Sequence, residues 1–254
     1  MFIEERHKHI LDLLEKDGKV LVKDLSAQFE VSESMIRKDL QVLEKNNLLQ
    51  RTYGGAINIK RTMVNAETLF RRVEKDTDLK KMVAEKANEL IKDNDIIFLD
   101  ASSISYMLTK LLIQDNKNIT LITNMVEISS LLHVDLKMNV IFIGGDYNNF
   151  VGGNIGFHST EQIKLYSCNK AFIGCIGIDL TNGIISTGIS EDAGTKKAIM
   201  SVSKESYLLA SNERFNQDGI YNFSNISDFR GIITENEPNE TIMDLLKQYD
   251  VRLI

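Results

Sequence analysis

The chain has little of what builds a scaffold other than a packed core. Of its 254 residues one is proline (Pro238), none is tryptophan, two are cysteine and four are histidine. A single proline excludes proline-rich linkers and polyproline ligand segments. Cys168 and Cys175 make no C-x-x-C pair and stand beside no histidine cluster. They read as buried thiols in a reducing compartment rather than as ligands of a structural zinc, and no metal site is expected. The start, Met1-Phe2-Ile3-Glu4-Glu5-Arg6, holds no apolar segment of the kind a secretory signal needs. No run reaches the roughly 18 consecutive apolar residues of a membrane span. The expected location is cytoplasmic, with no membrane partner. G-x-G-x-x-G, P-loop and H-E-x-x-H motifs are also missing, so nucleotide and zinc-protease chemistry has no support.

What is present is an ordinary globular composition, 43% hydrophobic and 26% charged, which suits a packed core rather than intrinsic disorder. The length fits one large domain, or a large one with a small one. The net charge of −6 argues at first against nucleic acid. It is unevenly spread. Residues 1–60 hold 10 basic and 10 acidic side chains, and the remainder hold 20 and 26, so the whole excess of acid lies in the second part.

In the first part, Ile3, His7, Ile10, Leu11 and Leu14 recur at helical spacing, with Gly18 placed to end the helix. Val22, Leu25 and Phe29 mark a short second helix. Val31-Ser32 turns the chain, and Ser32 is suited to cap a third helix, because its hydroxyl accepts an orphan backbone N–H. That helix carries Leu40 and Leu43 within about 40° of Ile36 and ends near Asn46-Asn47. Leu48 to Arg51 reads as a strand, and Tyr53-Gly54-Gly55-Ala56 as a turn into a returning strand. Three helices and a hairpin in this order make a winged helix-turn-helix pattern, whose third helix enters the DNA major groove. Opposite its apolar stripe lie Ser34, Arg37, Lys38, Gln41 and Lys45. Arginine forks to a guanine edge, glutamine to adenine, and lysine reaches phosphate or guanine. Lys23, Arg51 and Tyr53 are placed for phosphates on either side. A polar helix face also serves simply as a solvated surface, and winged helices also bind proteins. The order of elements favours double-stranded DNA.

After a polar, aperiodic stretch to about Lys75, short apolar runs alternate with helical patterns. The runs are Ile96–Leu99, Ile119–Ile122, Val140–Ile143, Ala171–Ile173, Tyr207–Leu209, Gly231–Ile233 and Val251–Ile254. Continuous apolar runs suit strands buried on both faces of a parallel sheet. Helical patterns fall near 79–91, 104–112, 125–133, 191–203 and 239–248. The fold class read from this is an N-terminal winged helix-turn-helix followed by a doubly wound, mostly parallel, Rossmann-like α/β domain. The division is 1–57, a linker over 58–75, and 76–254. Ligands of open α/β sheets bind beyond the carboxyl ends of the strands. That rule selects Asp100, Ser102, Ser103 and Ser105, then Thr123-Asn124, Gly144-Gly145, Asp179, and the Ser211–Phe215 stretch with Arg214. The serines open a helix, whose free N–H groups and dipole favour an anion. Tight βα turns use the same residue types, so it is the convergence of several that marks a site.

These residues carry a resemblance. Glu5-Arg6, Gly18-x-Val20, Val31-Ser32-Glu33-Ser34-Met35-Ile36-Arg37-Lys38-Asp39-Leu40 and Arg51-Thr52-Tyr53-Gly54-Gly55-Ala56 are similar to DeoR-family transcriptional regulators. The family reads V-S-x-x-T-I-R-R-D-L and then R-x-H-G-G-A, so Met35, Lys38 and Tyr53 depart from it. Leu99-Asp100, Thr123-Asn124, Ile143-Gly144-Gly145, Gly174 with Gly177-Ile178-Asp179, Gly183, Glu191-Asp192-Ala193 and Lys80 continue it through the second part. The family's D-x-G-[ST]-T appears as Asp100-Ala101-Ser102-Ser103-Ile104. Its D-x-x-K-F appears as Ser211-Asn212-Glu213-Arg214-Phe215. The resemblance implies a sensor domain folded like ribose-5-phosphate isomerase and glucosamine-6-phosphate deaminase. It implies a repressor of sugar or carbohydrate genes with a phosphorylated sugar as effector, no cofactor, and a homodimer or homotetramer. Ser102, Ile104, Ser211 and Arg214 leave the effector's identity open. The DNA-reading set is then Lys23, Ser32, Ser34, Met35, Arg37, Lys38, Gln41, Arg51 and Tyr53. The alternatives are an isomerase- or deaminase-like enzyme with an appended DNA-binding domain, for which Asp100, Asp146, Asp179 and Glu191 are the available acids, and a winged-helix protein adaptor.

Overall fold

The computed structural model describes residues 3–17, 19–45, 48–58, 62–63 and 68–254. The chain divides into two compact units, Met1–Thr62 and Met63–Ile254.

The smaller unit runs α1 (Ile3–Asp17), β1 (Lys19–Leu21), α2 (Val22–Phe29), α3 (Glu33–Lys45), β2 (Leu49–Thr52) and β3 (Gly55–Asn58). The positions expected from helical spacing form its core: Ile10, Leu14, Val22, Leu25, Phe29, Ile36, Leu40 and Leu43 are all buried. Ser32 caps α3 as expected. Its Oγ accepts from Met35 N at 3.3 Å and its carbonyl from Met35 N and Ile36 N. The helix ends read at Gly18 and Asn46-Asn47 lie outside the described residues.

Strand β1 was not legible. Three residues are too few to show a period, and this strand exists because it pairs antiparallel with β3, giving the order β1-β3-β2. The two glycines of the hairpin serve that pairing. Gly54 sits at φ +87°, and a Cβ on Gly55 would lie 2.1 Å from the Val20 carbonyl oxygen.

A buried ion pair ties α1 to α3. Asp39, on the core side of α3 and 2% exposed, accepts from Arg6 Nε at 2.5 Å and Nη2 at 3.0 Å, with His7 Nε2 at 3.2 Å from its other flank. The fork-to-carboxylate geometry fixes the azimuth of α3, and with it the direction of its outer face. Removing one partner of a buried pair strands the other charge. Asp39→Ala is expected to destabilise the smaller unit by about 3–5 kcal/mol. Differential scanning calorimetry would show this as a lowered melting temperature, and an unchanged one contradicts it.

In the larger unit all seven apolar runs form strands of one sheet, every pairing parallel. They are Ile96–Leu99, Thr120–Thr123, Asn139–Phe142, Cys168–Gly174, Ser203–Leu209, Gly231–Ile233 and Arg252–Leu253. Counted one to seven, their spatial order is 7-6-5-4-1-2-3. Alternate side chains enter two cores. Ile97, Leu99, Leu121, Phe172, Leu209 and Ile233 face one. Phe98, Ile122, Ala171, Ile173, Leu208 and Ile232 face the other. That double burial is why the runs read as continuous rather than alternating.

The expected helices stand at Thr77–Glu89, Ser103–Gln114, Ser190–Ser201 and Glu240–Leu246, and the pattern near 125–133 is a 3-10 helix, Val126–Leu131. Within the stretch read as a linker lies a helix, Leu69–Glu74, with Leu69 buried in the larger unit's core. Residues 59–61 and 64–67 of that stretch lie outside the described residues. A helix at Phe157–Ile163 was not expected. Neither was a small antiparallel sheet, Gly177–Asp179, Ile184–Thr187 and Tyr221–Asn225, nor the hairpin Asp146–Asn148/Gly153–Ile155. These pieces are short and polar, and tertiary contacts rather than periodicity define them.

Candidate functional site

The outer face of α3 carries Ser34, Met35, Arg37, Lys38 and Gln41, all exposed, with Ser32 at its start and Lys23 exposed on α2. Two cations of this surface are already engaged. Arg37 Nη2 meets Glu33 Oε2 at 2.6 Å, and Arg51 Nε meets Glu44 Oε2 at 2.6 Å, with Arg51 N donating to Glu44 Oε1 at 3.0 Å. The Arg51 donors hold the Glu44 carboxyl below its ordinary value. An exposed i,i+4 pair is worth only about 0.3–0.5 kcal/mol, so the Arg37 fork is readily exchanged from Glu33 to a stronger acceptor. Tyr53 is fully exposed at the tip of the β2–β3 turn.

The larger unit contains a cavity of about 170 Å³. It lies over the carboxyl ends of strands one, four and five, where the strand order reverses, which is where doubly wound sheets bind ligands. Ser102 and Ser103 line it, together with Gly174, Cys175 and Arg214. Ser102 is the N-cap of the Ser103–Gln114 helix, accepting from Ser105 N at 3.0 Å, at φ −151°. The serine at the family's glycine position is therefore in extended backbone and carries no strain. Arg214 donates from Nη1 to Gln217 Oε1 at 2.6 Å and stands 3.2 Å from Glu213. Arg72 and Lys80 also line the cavity but are held largely by carbonyls. Arg72 donates to Phe150 O and Val151 O, and Lys80 Nζ to Arg72 O and Lys75 O. Burial lowers the Lys80 pKa below the ordinary lysine value.

Thr187, Asp192 and Lys196 of the cavity wall join Asp100, which lies behind it, in a buried charge network. Asp100 is fully buried and accepts from Gly174 N at 3.1 Å and from Lys196 Nζ. Lys196 also faces Asp192 Oδ1 at 3.4 Å, and Asp192 Oδ2 accepts from Thr187 Oγ1 at 2.5 Å. Burial, opposed by Lys196 and reinforced by the Asp192 charge, pushes the Asp100 carboxyl up to about 6. Burial also works against the Lys196 charge, but Asp100 and Asp192 together outweigh it and hold its pKa above the ordinary value.

The remaining selected residues sit elsewhere. Ser105 is buried against Ser102 Oγ at 2.8 Å. Thr123 Oγ1 donates to Leu99 O and accepts from Met125 N. Asn124 rivets the loop after strand one, accepting from Ala101 N and donating to Asn154 O. Gly144 N donates to Gln162 Oε1, and its carbonyl accepts from Ser159. Gly145 packs so closely that a Cβ there would lie 2.0 Å from Ser159 Oγ. Asp179 closes a turn by accepting from Thr181 N and Asn182 N. Asp100, Ser105, Thr123, Asn124, Gly144, Gly145 and Asp179 do not line the cavity. Sequence reasoning passed over Lys196, Lys75 and Thr187. The available signal was Asp192 and Lys196 at i,i+4 on one helix.

Residues 6–62 match the model of the DeoR-like helix-turn-helix domain, and residues 75–236 that of the DeoR C-terminal sensor domain. The chain belongs to the DeoR family of transcriptional regulators. It is similar to the HTH-type transcriptional regulator IolR of Bacillus subtilis, 28% identical over 92% of this chain and 90% of that one. It is also similar to the glycerol-3-phosphate regulon repressor of Escherichia coli, 26% identical over 98% and 97%. To the L-fucose operon activator of Haemophilus influenzae it is 29% identical over 98% of both chains. These DeoR-family relatives are regulators, which decides against the isomerase- or deaminase-like enzyme. Among the described residues no helix is long and apolar enough to cross a membrane.

In this DeoR-family chain Asp100 keeps the family's aspartate, and its raised pKa has a consequence for stability. The folded state binds the Asp100 proton more tightly than the unfolded chain, so this group's stabilisation is fullest below the ordinary value of 3.8 and is lost as pH rises to about 6. The stability difference between wild type and Asp100→Asn is expected to fall across that window and to level off above it. Urea denaturation at a series of pH values checks this; a difference that grows with pH contradicts it.

Proposed function

We propose that the chain is a repressor whose winged helix-turn-helix reads an operator with α3, and whose larger unit binds a phosphorylated sugar that alters operator affinity. The observation that carries the effector half is the cavity at the strand-order reversal. It gathers Arg72, Lys75, Lys80 and Arg214 beside the Ser102–Ser103 helix start, with Asp76 and Glu213 as neighbouring acids and the Asp192–Lys196 pair on the same wall. Arginine forks and helix N–H groups match phosphate oxygens. The glycerol-3-phosphate regulon repressor supports the repressor reading by its similarity along the whole chain; the L-fucose operon activator supports activation.

Two-fold operators suit paired helix-turn-helix heads, so the working unit is a homodimer or a tetramer built from dimers. Effector control requires different effector affinities in the DNA-competent and DNA-incompetent states.

The test selects binding sites from random duplex DNA with purified full-length protein, then titrates the selected operator with and without a panel of sugar phosphates. In-vitro transcription on that operator decides between repression and activation. Arg37→Ala is expected to weaken specific binding by 1–3 kcal/mol, about 5- to 150-fold, with nonspecific binding nearly unchanged. Arg214→Ala is expected to bind the operator normally and to lose its response to the active sugar phosphate. Full affinity in the first variant removes α3 as the reading element, and a retained response in the second moves the effector site.

A further inference from the structure

The parallel sheet of the larger unit has two edge strands, and the chain treats them differently. The seventh strand, Arg252–Leu253, is two residues long and carries an exposed arginine. Shortness and charge are ordinary protections of a sheet edge. The third strand, Asn139–Phe142, has four residues and no charge. Its sequence, Asn-Val-Ile-Phe, suits a strand buried on both faces, yet none of its four residues is buried. Strands one, two, four, five and six each have three or more buried residues. Phe142 is 36% exposed, while Val140 and Ile141 are half-buried, one against each core. The backbone of this strand is open as well. Asn139 N donates to Ile119 O at 2.9 Å and Ile143 N to Thr123 O at 2.8 Å, so alternate residues turn their polar groups to strand two and Val140 and Phe142 turn theirs outward. Among the described residues no strand pairs with that outer side.

We propose that this edge is the seam between two copies of the chain, joined strand to strand into one continuous sheet. The proposal gives the paired assembly its contact surface and rests on that reading. The occupant is a second copy because the edge is complementary to itself. A copy laid antiparallel about a two-fold axis at Ile141 sets Val140 against the partner's Phe142 and Phe142 against the partner's Val140. Each of these pairs exchanges two N–H···O bonds, which uses the outward groups of both strands. Residues opposite one another share a face of the sheet, so each Phe142 covers the other copy's half-buried Val140, and Ile141 meets its own counterpart on the other face. The charges agree with this arrangement. The nearest charged residues along the chain are Lys137 before the strand and Asp146 after it, both exposed. The antiparallel axis brings the Lys137 end of each copy to the Asp146 end of the other.

Sedimentation velocity and oxidative cross-linking of the full-length protein at micromolar concentration test it. The unaltered protein is expected to sediment as a dimer or a larger even assembly. Phe142→Lys, which sets an ammonium on the Val140 contact, is expected to raise the dissociation constant of that assembly by about 10-fold or more. In the proposed register Ile141 faces its own counterpart in a pair without hydrogen bonds, with Cα atoms about 4.5 Å apart, a separation that a disulfide spans. Ile141→Cys is therefore expected to give a covalent dimer with oxidised glutathione. Asn139→Cys, about 14 Å from its own counterpart, is expected to give none, as is the unaltered protein, whose Cys168 is buried and Cys175 half-buried. The cross-link needs no loss of function, so the test stands even if Phe142→Lys folds poorly. An assembly that keeps its affinity in Phe142→Lys, or gives no covalent dimer from Ile141→Cys, overturns the edge contact and leaves the pairing to another surface. A monomer throughout overturns both the edge contact and the paired assembly.

Discussion

The ion pair between Asp100 and Lys196 is the contact on which the larger unit's site depends. It joins the end of the first strand to a helix that follows the fourth, across 96 residues of chain. An isolated carboxylate at that depth would be driven to neutrality, and an isolated ammonium likewise. Together they stay charged, and their mutual need fixes the helix Ser190–Ser201 over the strand ends. That placement brings Asp192 onto the cavity wall and closes the side left open by the Ser102 turn. A purely apolar contact would bury these segments as well but would not set their azimuth so narrowly.

The smaller unit uses the same device with a different purpose. Arg6 and Asp39 are buried between α1 and α3, and the pair orients the helix whose opposite face carries Arg37, Lys38 and Gln41. In both units a buried charge aims an exposed or ligand-facing one. The remaining surface charges are loosely held by comparison. Glu33 and Glu44 occupy Arg37 and Arg51 only through partly exposed pairs, so these cations stay available to a stronger acceptor without standing unsolvated.

The net charge of −6 acquires a meaning from this division. The outer face of α3 is locally basic while the acidity lies in the larger unit. With little global positive charge, nonspecific attraction to the polyanion is weak, and affinity for DNA rests on specific contacts.

Much of the architecture was legible in the sequence because its causes are local. Seven apolar runs became seven strands, since a strand buried on both faces must be apolar throughout. Ile36, Leu40 and Leu43 defined the inner face of α3, and with it the outer one, since a helix has only one geometry. The Ser102–Ser103 turn and Arg214 were found by the rule for strand ends, and the structure brings them to one cavity. Thr123, Asn124, Gly144, Gly145 and Asp179 obey the same rule, yet their hydrogen bonds are spent on neighbouring loops, and no local pattern says whether a loop polar group faces a ligand or its own backbone. Lys196 shows the limit most plainly. On its own helix it reads as one more solvated lysine; only the sheet order, which sets the first strand beside the fourth, supplies the buried carboxylate that makes its burial possible.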